Sequence, residues 1–100
     1  MIIDSTDISI LKEFLNLDGK ETTTWEIMKK LYPRGQDKEH MNIKRRLDKM
    51  EKYGIFFVNG EPKEYVLISD NVKKQKILFE NKKVDCICIF TSGRWNAFQL

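Results

Sequence analysis

One histidine, two cysteines and two prolines are scattered through 100 residues, and each scarcity removes a class of chemistry. His40 with Cys86 and Cys88 cannot supply the four-ligand shell of a closed zinc site. There is no Ser-His-Asp or Cys-His set and no glycine-rich phosphate loop, so neither an enzyme nor a cofactor is expected. The Cys86-x-Cys88 spacing is awkward for a disulfide, and the pair reads as small apolar residues on one face of a strand. No apolar run approaches the roughly 18 to 20 residues needed to span a bilayer, and the basic-then-apolar start of a secretory signal is missing. A cytoplasmic protein without a membrane partner is therefore expected. Nothing resembling a repeat, a low-complexity tract or a Gly/Ser linker divides the chain, which predicts one domain over residues 1–100 with a modest core.

What the chain does have is charge, and the charge is segregated. A third of the residues are charged, yet the net balance is only +3. Residues 38–53 carry +3 by themselves, Lys73, Lys74, Lys76, Lys82 and Lys83 against Glu80 contribute a further +4, and the remainder is acidic. Phosphate recognition depends on local field more than on total charge, so such segregation fits a basic docking face. The plainer alternative for the 73–83 cluster is a solvated lysine surface.

The order of elements follows from hydrophobic period and turn chemistry. Asp4, Ser5, Thr6 and Asp7 are good cap residues, and Ile8, Leu11 and Leu15, flanked by Ile10 and Phe14, give a first helix that stops near Asp18-Gly19. Thr23 followed by Glu26 is a capping-box signature for a short second helix buried through Trp25, Ile27, Met28 and Leu31 and ended by Pro33 and Gly35. Asp37 is the expected cap of a third helix, which runs to about Tyr53. Ile43, Leu47 and Met50 recur at i, i+4, i+7, and Gly54 stands where a left-handed cap would end that helix. Ile55 to Val58 and Glu64 to Ile68, separated by Asn59-Gly60-Glu61-Pro62, predict a β-hairpin. Residues 76–80, 84–90 and 95–100 are expected to form a β-meander, although residues 71–80 also tolerate a helical start.

Opposite the apolar stripe of the third helix lie Lys38, Met41, Asn42, Arg45, Lys49 and Lys52. Together with Ile43-Lys44-Arg45-Arg46-Leu47, Met50 and Gly54-Ile55, this segment resembles the recognition helix of winged helix-turn-helix regulators. The run Thr22 to Leu31 is similar to their second helix, especially in small archaeal and archaeal-virus transcription regulators. The resemblance covers about residues 5–70, with residues 71–100 left as a mainly β extension and possible dimer surface. It implies an α+β winged helix-turn-helix fold that binds double-stranded DNA sequence-specifically as a homodimer, with no small-molecule effector evident.

Within that reading Met41, Asn42 and Arg45 are the candidate base readers. Arg can donate two bonds to guanine, Asn can pair with adenine, and a methionine can pack on a thymine methyl. Lys38, Lys44, Arg46, Lys49 and Lys63 are candidate phosphate contacts, which add affinity without specificity. Arg45 with Asp48 and Asp48 with Lys52 also stand at intrahelical ion-pair spacing. His40 reads as a helix-flanking polar residue, and Trp25 and Trp95 as core or interface aromatics. Two features depart from the family pattern. The connection from Tyr32 to Asp37 exceeds the tight turn of a minimal helix-turn-helix, and the wing tip sets Glu61 and Glu64 around a single Lys63. The alternative function is a winged-helix protein-interaction module whose basic helix meets an acidic partner.

Overall fold

Asp4 and Asp7 start the first helix by capping each other. In the computed structural model, which describes residues 2–100, the Asp7 amide donates to Asp4 Oδ1 at 2.9 Å and the Asp4 amide donates to Asp7 Oδ2 at 3.2 Å. This reciprocal cap satisfies two amides that helix geometry leaves without partners. The helix it opens, α1 (Ser5–Asn16), buries Asp7, Ile10, Leu11 and Phe14. The expected Ile8, Leu11, Leu15 stripe is thus rotated, with Ile8 and Leu15 only partly buried at its margin. The rotation has a cause in packing: the Asp7 carboxylate must turn inward to meet two cations from a later helix.

Strand β1 (Thr22–Thr23) leads directly into α2 (Thr24–Leu31), whose first turn is capped by the Thr23 hydroxyl accepting from the Glu26 amide at 3.2 Å. Ile27 and Met28 are buried as expected. Trp25 is not, because two residues back from Ile27 is about 200° around the helix, on the opposite face. Gly35 then lets the chain pass close under α2, since a Cβ there would lie 2.5 Å from the Met28 sulfur and 2.9 Å from the Tyr32 carbonyl oxygen.

Helix α3 (Asp37–Lys52) is capped one residue earlier than expected. Gln36 is the N-cap, its amide donating to Glu39 Oε2 at 2.9 Å, and Asp37 occupies the first turn, where a carboxylate complements the positive end of the helix. Ile43, Leu47 and Met50 are its buried stripe, as their spacing predicts. At its end Gly54 takes φ +79°, so that Ile55 N–H reaches the Met50 carbonyl at 3.1 Å and Gly54 N–H the Glu51 carbonyl at 3.0 Å. That is a Schellman closure, which the left-handed glycine makes possible.

The hairpin of β2 (Phe56–Asn59) and β3 (Glu64–Leu67) follows, with β1 added on the far side of β3 to give the sheet order β1-β3-β2. Three more strands, β4 (Val72–Phe79), β5 (Lys82–Thr91) and β6 (Arg94–Gln99), form a separate antiparallel meander in the order β4-β5-β6. Residues 72–79 are therefore strand, not helix. The meander turns on Glu80-Asn81 and Ser92-Gly93, each a pair of positive-φ residues, so the first turn falls one residue before the expected Asn81-Lys82. Such paired left-handed residues match the twist of a two-residue hairpin.

The result is an α+β protein of three helices and two antiparallel three-stranded sheets around a shared core. Val72, Ile87 and Ile89 from the second sheet join Phe14, Leu47, Phe56 and Tyr65 in one apolar cluster, in which the Phe14 and Phe56 rings stand 4.5 Å apart. Cys86 and Cys88 are buried free thiols, one residue out of phase with Ile87 and Ile89 and so on the other face of β5.

The Asp7 carboxylate is fully buried and meets Arg46 Nη1 at 3.2 Å and Lys49 Nζ at 3.0 Å. Removing one member of such a buried set strands the others' charge, so Asp7→Ala should lower the unfolding free energy by about 3 to 5 kcal/mol in urea titration. Asp4→Ala, at an exposed cap, should cost about 1 kcal/mol. Equal costs would show that burial of Asp7 does not dominate. The bond to Arg46 and the Asp7 amide hold the Asp4 carboxyl at about 2, below its ordinary 3.8. Because the folded value is the lower one, the unfolded chain binds more protons in this window and stability falls with acid. The stability margin of wild type over Asp4→Asn should thus be complete above pH 3.8 and shrink as pH drops towards 2, as followed by thermal melts.

Candidate nucleic-acid interface

Taking Ile43 as the inward direction and stepping about 100° per residue, the side chains of α3 divide into a core stripe, two flanks and an outward row. The outward row holds Lys38, Met41, Arg45 and Lys52, all exposed. Met41 is 62% exposed, a long apolar side chain with no core to fill. Among the described residues, Lys38, Lys44, Arg45 and Lys52 enter no ion pair. Their charge is available to a ligand.

One flank belongs to α1. Arg46 Nη1 meets Asp4 Oδ2 at 2.7 Å as well as Asp7, and Lys49 Nζ meets Asp7 Oδ2. Lys49 is therefore turned off the outward row on which it was expected, and both of these candidate phosphate contacts are engaged by carboxylates that hold α3 to the start of α1. The neighbouring carboxylates push the Arg46 guanidinium pKa upward, despite partial burial. Its Nε is buried without a hydrogen-bond partner, so even this set is incompletely satisfied. Asn42 lies on the same flank, half-buried, at the margin of the outward row.

The other flank faces the β2–β3 hairpin. Asp48 does not pair with Arg45 or Lys52 as the intrahelical spacing allowed. It accepts from the Tyr65 hydroxyl at 2.7 Å and has Lys63 Nζ at 3.9 Å. Tyr65 is fully buried, and burial together with the adjacent Asp48 carboxylate pushes its phenol pKa well above the ordinary range. The phenol thus stays a neutral donor, bracing helix against hairpin. Lys63 is brought to the same side as Lys44.

Between the start of α2, α3 and the hairpin tip runs a groove of about 380 Å³ lined by Trp25, His40, Lys44, Glu61, Pro62 and Lys63 among others. Trp25 and His40 stack at 4.5 Å, with 28° between ring planes. Trp25, expected on the buried side of α2 or at an interface, is exposed, and His40, expected as a helix-flanking polar residue, is its stacking partner. The signal that relocates Trp25 was present, since it stands opposite the Ile27-Leu31 stripe, whereas the stacking partner depends on how α2 and α3 cross. Further along, Glu21, Glu26 and Glu64 gather at the β1–β3 edge, and the carboxylates of Glu21 and Glu26 raise the Glu64 pKa. That edge repels polyanions, whereas the unpaired cations of α3 and Lys63 beside Lys44 attract them.

Comparison with known protein families, curated proteins and solved structures finds no match. Among the described residues no helix is long and apolar enough to cross a membrane, and no group of three His, Cys, Asp or Glu side chains could hold a metal.

Tyr65→Phe removes the donor to Asp48 and leaves the ring in place. A hydrogen bond to a charged acceptor contributes about 1.5 to 3 kcal/mol, so the variant should lose about that much unfolding free energy and show a lower urea midpoint. An unchanged midpoint would mean that the hairpin is held to α3 by apolar contact alone.

Proposed function

We propose that this chain is a winged helix-turn-helix protein that binds double-stranded DNA sequence-specifically and regulates transcription, with α3 entering the major groove. The observation that carries the reading is the outward row of α3, where unpaired cations surround Met41 on a helix flanked by a β-hairpin. The order α1-β1-α2-α3-β2-β3 and the sheet order β1-β3-β2 support the winged-helix part. An α-helix fits the major groove, and side chains from one of its faces can reach base edges.

In this reading Arg45 pairs with guanine, Met41 lies against a thymine methyl, and Asn42 reads adenine from the margin of the row. Lys38, Lys44, Lys52 and Lys63 contact phosphates on either side. Arg46 and Lys49 act as positioning residues through Asp7. The groove at Trp25 and His40 supports a second reading, a protein-interaction module, because an apolar ring beside Lys44 and Lys63 also suits an acidic peptide.

Fluorescence anisotropy with a labelled random-sequence duplex tests the first reading against the second. Four phosphate contacts predict a log-log salt slope of about −3 to −4, and Lys38→Ala should flatten it by about one. On a site selected from a random library, Arg45→Ala should weaken binding by roughly 5- to 150-fold, corresponding to about 1 to 3 kcal/mol of base discrimination. A folded wild type that ignores duplex at low salt removes the DNA reading and leaves the groove as the site to probe.

A further inference from the structure

The two free edges of the second sheet differ in charge. Its turns fix which backbone groups point outward, because bonded and non-bonded pairs alternate along an antiparallel ladder. Thr91↔Arg94 closes the Ser92-Gly93 hairpin, and at the other end Leu100 N–H donates to the Asp85 carbonyl at 2.9 Å. Arg94, Asn96 and Phe98 in the same phase therefore bond inward to β5. Trp95, Ala97 and Gln99 turn their N–H and C=O groups to the open edge. On β4 the same phase, set by Phe90 N–H donating to the Asn71 carbonyl at 2.8 Å, turns Val72, Lys74, Lys76 and Leu78 outward. A second β4 laid on that edge would bring lysines against lysines, the usual defence of an exposed strand.

Strand β6 has no such defence. From Trp95 to Gln99 it carries no charge, and every residue of the strand except Phe98 is exposed. We infer that β6 pairs antiparallel with β6 of a second copy of this chain, Ala97 opposite the partner's Ala97 and Trp95 opposite the partner's Gln99. In that register every outward-turned residue meets another outward-turned residue, giving about six backbone hydrogen bonds and no facing like charges. The pairing is self-complementary, as a two-fold interface requires. Trp95, already packed on Phe90 at 5.3 Å with Lys73 over its ring at 5.1 Å, gains a cross-strand neighbour. Ile2, 87% exposed, lines a cavity of about 280 Å³ with Asn96 and Phe98 beside this edge, where the added strand shields it.

The two-fold axis of such a pair runs perpendicular to the sheet. Both helical bodies therefore stand on the same side of one continuous six-stranded sheet, and the two copies of α3 act from that side. The pairing does not depend on the DNA reading, although it would supply the second half-site contact that a symmetric operator needs.

Sedimentation equilibrium without DNA tests it on the full chain, alone and as Ala97→Pro and Ala97→Lys. Proline at 97 deletes only an outward N–H, so the ladder to β5 survives, and lysine at 97 opposes like charges across the axis. The expected result is a wild-type mass approaching twice 11.9 kDa as concentration rises, with both variants at the single-chain mass and unchanged circular dichroism. A wild type that stays at the single-chain mass overturns the inference, as does a dimer that persists in both variants. Should the proline variant unfold, the lysine variant decides alone. Because no nucleic acid is present, neither outcome bears on whether α3 binds DNA.

Discussion

The buried Asp7 carboxylate is the constraint on which the rest of the arrangement depends. It caps α1, and it draws Arg46 and Lys49 of α3 onto the first turn of that helix. A charge so far from water needs compensating partners, and the two cations supply them. The pairing therefore fixes how α3 is rotated about its own axis. With Arg46 and Lys49 drawn to one side, Arg45, Met41 and Lys38 are left facing out.

The opposite flank of α3 is held by a different kind of contact. Tyr65 reaches from the middle of β3 to Asp48, so the hairpin is braced to the helix through one buried hydroxyl and the apolar residues beneath it. Clamped on both sides, α3 presents its outward row on a rigid mount. Under the proposed DNA reading such preorganisation would matter, because a displaced side chain loses bidentate geometry before it loses charge.

The second sheet contributes on its inner face and differs on its edges. Val72, Ile87 and Ile89 close the core that the three helices leave open, which explains why residues 72–99 are more apolar than a solvated tail. Lys74 and Lys76 stand on the open β4 edge, whereas β6 is uncharged from Trp95 to Gln99, so part of the charge of residues 73–83 fits the protection of an exposed strand as well as a solvated surface.

Much of the fold was legible because local structure obeys local rules. The i, i+4, i+7 stripe of α3, its glycine stop, the hairpin turn, which falls at residues 60–63 and so one residue later than expected, and the meander all follow from period and turn chemistry, which depend on neighbours a few residues apart. The cap of α3 shifted by one residue, because Glu39 closes a capping box on the Gln36 amide and leaves Asp37 in the first turn. The candidate site was legible only in part. That residues 38–52 form an amphipathic basic helix is determined by sequence alone. Which of its cations remain free is decided by tertiary structure, because Arg46 and Lys49 find Asp7 across 39 and 42 residues, and Trp25 meets His40 only once α2 and α3 have crossed. Contacts at such separation depend on how helices rotate and pack against one another, and no periodicity in the chain encodes that angle.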